Sequence, residues 1–308
     1  MELARVGFAG VSVDGPLGGL RNESGWDEQF AIFNISNPPA LRDNIRQSAL
    51  ELILFAHVVP ELRVDAASCP GLSTPAGDGV VRFDPSTLTI MGHSMGAWIA
   101  PLVVGLEPAY RAMIVSGAGG SWIENVVHKQ RPLEVRPLAE TILRYRAGEL
   151  NEQDPVLSLL QWAGEGADPQ LFGGLVIDEA PSAGRHVLMF QGMLDTYIPP
   201  PVANALSLAI GLDLAGTELD VNYPEYRPLQ SLLPFVGRSR IPYSVAGNRF
   251  AGTVTAIVTQ HPEDGVEDGH EVMYQTEPPK RQYRCFLRSL IEGVPSVPDG
   301  AGDPATCD

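Results

Sequence analysis

Apolar residues fall into two kinds of run, and their alternation along the chain predicts the architecture. Short, dense runs that end in glycine or a turn occur at "RVGFAGVSVDG" (Arg5 to Gly15), "DPSTLTIMG" (ending at Gly92), "YRAMIVSGAG" (from Tyr110), "RHVLMFQG" (from Arg185) and "RFAGTVTAIVTQH" (from Arg249). Runs of this kind predict buried strands. Between them lie longer stretches with apolar positions three and four apart, the helical spacing. In "PPALRDNIRQSALELILFAHVV" these are Leu41, Ile45, Leu50, Ile53, Leu54 and Val58; "MGAWIAPLVVGL", "PPVANALSLAIGL" and "PKRQYRCFLRSLIEGV" predict helices likewise.

Strands alternating with helices predict an α/β fold, a mostly parallel sheet covered by helices on both faces. Chemistry in such sheets gathers beyond the carboxyl ends of the strands. The long segment between two core strands, Ser121 to Gly184, carries two or three helical patterns and is expected to form a partial helical cap. One of its helices is signalled by Asp154-Pro155, an N-cap followed by proline at the first helical position. Residues 1–120 and 185–294 are then the core, 121–184 the insertion, and 295–308, "PSVPDGAGDPATCD", a loose tail.

Charge narrows the partners. The chain has 21 Lys and Arg against 37 Asp and Glu, a net charge of −16 over 308 residues. Nucleic-acid binding needs clustered basic residues and is disfavoured. Attraction to anionic membranes or anionic substrates is disfavoured too. No apolar stretch reaches the roughly 18–20 residues of a membrane span. The start, "MELARVGFAG", lacks the basic region, apolar core and cleavage site of a signal peptide. Soluble behaviour is expected, with the compartment left open. Cys69, Cys285 and Cys307 have no metal-ligand spacing, and both one disulfide with a spare thiol and three free thiols remain open.

Gly92-His93-Ser94-Met95-Gly96 is a G-x-S-x-G motif. The string alone is weak, but here it stands between a predicted strand and a predicted helix, as a nucleophile elbow requires. A sharp strand-to-helix turn would leave no room for side chains at Gly92 and Gly96 and would hold Ser94 in a strained conformation. Ser94 would stand at a helix N-terminus, where the Met95 N–H favours developing negative charge. The plain alternative is a serine that caps the helix.

A serine hydroxyl needs a positioned base. Of six histidines, His57, His128 and His186 fall in helical, insertion and strand-start positions, and His93 lies inside the motif, expected to point away from Ser94. His261 ends the last strand, whereas His270 follows it in the loop "HPEDGVEDGHEVMYQ". The orienting carboxylate best placed is Asp195, after the strand "RHVLMFQG", with Asp264 and Asp268 as rivals on the histidine's own loop, expected to be solvated charges. His270, in the loop after the last strand and before the closing helix, can swing over the sheet's carboxyl edge better than His261, which still belongs to the strand. Serine, aspartate, histidine is then the chain order of the α/β-hydrolases.

With "GHSMGA", "GMLDTYIPP" and "DGHEV" in place, the chain resembles the α/β-hydrolase superfamily, and more narrowly its bacterial esterases and lipases, over about Val6 to Val294. "VSVDGPLGGLR" and "NPPALRDNIRQSALEL" resemble the strand and helix that precede the elbow there. The resemblance implies a carboxylic ester hydrolase working through an acyl-enzyme, with Ser94 as nucleophile, His270 as base, Asp195 as its orienter and Met95 N–H in the oxyanion hole. It implies no metal and no organic cofactor, and a small-molecule ester of short or medium acyl chain as substrate. An amidase or acyltransferase using the same triad, and a non-catalytic binding module, are the alternatives.

The family pattern has about three further strands upstream, the third leading to a loop that supplies a second oxyanion donor. Either the chain is a fragment, or its first strand pairs directly with the elbow strand through a right-handed crossover. The second arrangement is the expectation, and it would bring the N–H groups of Leu17 or Gly18 to the oxyanion. Trp122, Leu159, Leu160 and Trp162 of the insertion would wall an acyl pocket, or pack the cap itself. An open sheet edge would invite a second chain, which leaves a homodimer open.

Overall fold

Alternate residues of the central strands face two different cores, the signature of a sheet buried on both sides. The computed structural model describes the chain apart from Met1, Ile35, Pro70, Ser73, Pro75, Pro181, Pro304, Ala305 and Asp308. Its main sheet has six strands: β1 (Thr89–His93), β2 (Ala112–Ser116), β3 (His186–Gly192), β4 (Asp213–Ala215), β5 (Arg240–Ile241) and β6 (Ala256–His261). They are all parallel and lie in the order β1-β2-β3-β6-β4-β5.

Met113, Val115, Val187, Met189 and Val258 face one core; Ala112, Ile114, Leu188, Phe190 and Ile257 face the other. The first core is roofed by α1 (Pro38–Val58), α2 (Met95–Leu106), α6 (Pro169–Val176) and α7 (Pro200–Ile210). The second is covered by α8 (Glu277–Glu292) through Tyr283, Phe286, Leu287 and Leu290. The expected α/β architecture is therefore present.

Segment 121–184 supplies α3 (Trp122–His128), α4 (Val135–Leu143), α5 (Pro155–Gly164) and α6. The first three enclose a small core of Val126, Val127, Leu150 and Leu157. Asp154 caps α5 by accepting from the Val156 N–H, with Pro155 at the first helical position, as its sequence predicts. α6 instead joins the layer over the sheet, where Gly105 and Gly173 permit close backbone contact with Phe172 and Ala209.

Three sequence expectations are overturned. Arg5–Gly15 is not a strand: Ala4–Val6 forms a short 3-10 turn, the following residues are irregular, and Val11 and Val13 are exposed. Leu3, Val6 and Phe8 instead pack on the second core, which holds this segment away from strand geometry. The elbow strand β1 consequently pairs only with β2 among the described residues and forms the edge of the sheet, so no crossover joins it to the N-terminal segment.

The apolar pattern of α1 also divides differently. Leu41 and Ile45 are buried as expected, together with Ser48, Ala49 and Ala56, but Leu50, Leu54 and Val58 are exposed on another face. The last segment, finally, is not loose where it is described. Ser296–Val297 pairs antiparallel with Val245–Ala246, and Cys307 is disulfide-bonded to Cys285, leaving Cys69 as a free, exposed thiol.

Candidate active site

Four chain segments meet at the carboxyl edge of β1, β2 and β3. The first is the strand-to-helix turn at Ser94. Its backbone has φ 52° and ψ −116°, a conformation that non-glycine residues seldom adopt. The N–H of Ser94 donates to Ser116 O at 3.0 Å, and its carbonyl accepts from Trp98 N at 3.0 Å. Its hydroxyl does not cap α2 and has no hydrogen-bond partner among the described residues. The turn is tight at Gly92, where a Cβ would stand 2.5 Å from Gly96 O. The expected steric demand does not extend to Gly96, whose missing Cβ would meet nothing within 4 Å.

The second segment is the turn after β3. Asp195 is buried, and its Oδ1 accepts from the N–H groups of Tyr197 and Ile198 at 2.9 and 2.7 Å. Those two bonds leave Oδ2 for the third segment, the loop after β6, where His270 Nδ1 lies 2.9 Å away. The His270 ring is buried, with Tyr197 stacked on it at 4.8 Å. His270 also lies directly over Gly117, the residue after β2: a Cβ there would be 2.5 Å from its Cε1. Since Ser116 receives the Ser94 N–H, Gly117 is next to the Ser94 turn, and the His270 ring and that turn share one corner of the sheet edge.

His261 is no competitor. It is buried inside the sheet layer, its Nε2 bonded to Gln282 Oε1 and Thr259 Oγ1, and burial pushes it down to about 4.

Asp268 corrects a second expectation. Far from being a solvated charge, it accepts from Thr196 N, Thr196 Oγ1 and His270 N, and so ties the Asp195 turn to the His270 loop. Sequence reasoning missed this, although its place two residues before the histidine is that of a side chain able to cap a turn. Asp264 bonds only N–H groups of its own loop, Val266 and Glu267. The two loops also touch backbone to backbone, because a Cβ at Gly192 would sit 1.8 Å from Gly269 O, and one at Gly269 1.9 Å from Met193 O.

His93 does not stand apart. Its ring centroid is 4.6 Å from that of His270 and 4.9 Å from that of Tyr274, and Glu271 Oε2 lies 3.6 Å from its Nε2. Burial, and then the neighbouring His270, hold its pKa below the usual value.

The fourth segment is α3, which leaves the end of β2 and runs to the Asp195 turn. Gln130 and Arg131 both donate N–H to Thr196 O, and Lys129 Nζ donates to Tyr197 O. Burial lowers Lys129 to about 8, with the Asp195 carboxylate pulling the other way. The start of α3 is anchored by the fully buried Asp168, which accepts from Ser121 N, Trp122 N, Gln161 Nε2 and Gln170 N.

The remaining sequence candidates are scattered. Trp122 is buried against Trp98, centroids 4.7 Å apart, and donates to Gly164 O, a joint between insertion and core. Leu160 packs half-buried within the small core of the insertion, and Leu159 is exposed. Trp162 is also exposed, lining an outer groove of about 480 Å³ with Arg46, Leu50, Leu102, Leu106 and Phe172. Leu102 and Leu106 lie about 12 and 18 Å along α2 from Ser94 at 1.5 Å per residue, so this groove is not at the elbow. Gly18 N–H is bonded to Gly15 O at 3.0 Å within its own turn, whereas Leu17, at φ 60°, has an N–H with no acceptor among the described residues.

Neither a protein-family model nor a curated protein matches the sequence. Among solved structures, the chain is similar to acetyl xylan esterase 1 from Thermoanaerobacterium sp. JW/SL YS485 at 13% identity and a TM-score of 0.36, over 84% of this chain and 56% of that one. It is also similar to the Pyrococcus horikoshii acylaminoacyl peptidase, at 10% identity and a TM-score of 0.42, over 91% of this chain and 32% of that one. The chain thus spans 56% of the first and 32% of the second. Among the described residues, no helix is long and apolar enough to cross a membrane.

Proposed function

We propose that the chain is a serine hydrolase of the α/β-hydrolase type that cleaves carboxylic esters through an acyl-enzyme. Ser94 Oγ bonds to the ester carbonyl carbon while its proton passes to His270 Nε2, and the carbonyl π pair becomes an oxyanion. Collapse of that tetrahedral centre expels the alcohol, which takes the proton from His270. Water then repeats the sequence on the acyl-enzyme and frees the acid and Ser94. Asp195 holds His270 with the proton on Nδ1 and stabilises the imidazolium. Met95 N–H receives the oxyanion.

The observation that carries the proposal is the 2.9 Å contact between His270 Nδ1 and a buried Asp195, with the same ring resting on Gly117 beside Ser94. A merely structural histidine would not need a carboxylate whose other oxygen is already fixed by two N–H groups. The unbonded Ser94 hydroxyl in a strained turn supports it further. Short or medium acyl chains are the proposed substrates.

The test is labelling with a fluorophosphonate probe together with hydrolysis of p-nitrophenyl esters of graded chain length. Labelling and turnover that both vanish in Ser94→Ala are the expected result. A folded protein that neither reacts with the probe nor turns over any ester overturns the proposal.

A further inference from the structure

Away from the Ser94 corner, three side chains of segment 121–184 converge on one point. Glu124 and His128 stand one helical turn apart on the same face of α3, and Glu152 lies in the loop before α5. Glu124 Oε2 is 3.2 Å from His128 Nε2, and Glu152 Oε1 is 3.1 Å from that same nitrogen. The three ligand atoms all lie within 4.8 Å of one another. An imidazole nitrogen carries at most one proton, so the two carboxylates that face it compete for, or share, a single N–H. A divalent cation would satisfy all three atoms together.

The geometry points to a divalent transition-metal site of the zinc class at Glu124, His128 and Glu152. Bonds of about 2.0–2.2 Å place ligand atoms about 3.3–3.6 Å apart in a tetrahedron, a little wider than the two separations seen here, 3.2 and 3.1 Å. One imidazole and two carboxylates leave a fourth position for water. The imidazole selects zinc, cobalt or nickel over calcium and magnesium, which take oxygen ligands. The side chains are 23, 29 and 35% exposed, in the order His128, Glu124, Glu152, so an ion can reach them from solvent. The Tyr226 ring stands edge-on to that of His128, with centroids 6.1 Å apart, and limits its swing.

An ion here would fasten α3 to the loop before α5. Residues 129–131, which follow His128 directly, are bonded to the Asp195 turn, so the site is a brace for one wall of the Ser94 corner. It does not depend on what reaction that corner performs.

The test is zinc titration of the full chain after chelator treatment, followed by calorimetry and by thermal unfolding. The expected result is saturable binding of zinc and a Tm raised by about 4 °C at a hundredfold excess over Kd. Glu152→Gln and His128→Ala should each weaken binding at least tenfold, and Glu152→Gln, a loop change, keeps the test valid if His128→Ala does not fold. His93→Ala should leave this binding intact, because His93, His270 and Glu271 form a separate cluster. Absence of saturable binding, binding untouched by Glu152→Gln, loss of binding in His93→Ala, or calcium binding as tightly as zinc would each overturn the assignment.

Discussion

The imidazole of His270 rests on Gly117, so closely that a methyl group at residue 117 would come within 2.5 Å of its Cε1. Gly117 has φ 55°, a conformation that glycine adopts freely and alanine does not. Gly117→Ala should therefore push the ring off the Ser94 corner while leaving the sheet intact. In the proposed reaction, kcat/KM should fall about 100-fold, the scale of a roughly 1 Å misplacement. Ester kinetics beside circular dichroism check this, and a folded variant with unchanged kcat/KM would count against His270 as the base.

The two glycines of the elbow should behave oppositely. A Cβ at Gly92 would meet backbone atoms of Gly96 and Ala97 at 2.5–2.8 Å, and backbone cannot swing aside. Gly92→Ala should cost about 3 kcal/mol or more, at the upper end of overpacking. Gly96 has open space, and replacing glycine in a helix by alanine gains up to about 1 kcal/mol. Thermal unfolding of the pair should thus show one large drop in Tm and one unchanged or raised value.

The legible parts of the molecule were those with local signals. Dense apolar runs located β1, β2 and β3, and Asp154-Pro155 located a helix start, because burial on both faces and capping leave their mark within a few residues. Arg5–Gly15 carried the same kind of apolar signal, yet it lacks a partner strand and packs as irregular chain, since pairing is a tertiary decision. The short strands Asp213–Ala215 and Arg240–Ile241 gave no pattern at all, being two or three residues long. At the site, position just after a strand, together with residue order, picked out His270 and Asp195, which the fold places 2.9 Å apart. Asp268 was passed over because Thr196, the partner through which it joins the two loops, comes to it only in the folded chain, although its bond to the His270 N–H is local.

Asp268 should prove a positioning residue. Asp268→Ala removes the two hydrogen bonds from Thr196 that hold the Asp195 turn against the His270 loop, and a third, from the His270 N–H, that shapes the loop itself. Bonds to a charged group contribute about 1.5–3 kcal/mol each, so a fall in Tm of several degrees is expected. The diagnostic reading is kinetic: kcat should drop about tenfold with KM little changed, because the loops that orient the base loosen while the substrate walls remain. Thr196→Ala, which loses only the hydroxyl bond, should show a smaller drop in the same direction. A variant whose Tm falls while kcat stays constant would assign Asp268 to stability alone.

Acid should destabilise the protein through two histidines outside the Ser94 corner. Burial lowers His261 to about 4, and burial with the nearby Arg111 lowers His186 to about 4. Both are neutral in the folded chain at pH 6, while in the unfolded chain a histidine takes up its proton near pH 6.5. Between about pH 6.5 and 4 the unfolded state binds more protons, so stability falls as pH is lowered through this window and levels off near its lower end. The ceiling is on the order of 3 kcal/mol per histidine. His261→Gln keeps an amide near the position of Nε2, which bonds Gln282 and Thr259, and His186→Asn keeps an acceptor for the Thr255 N–H. Each variant should flatten the decline of Tm between pH 6.5 and 4.5, and the double variant should flatten it most. Parallel pH profiles for the wild type and both variants would remove these histidines from the account.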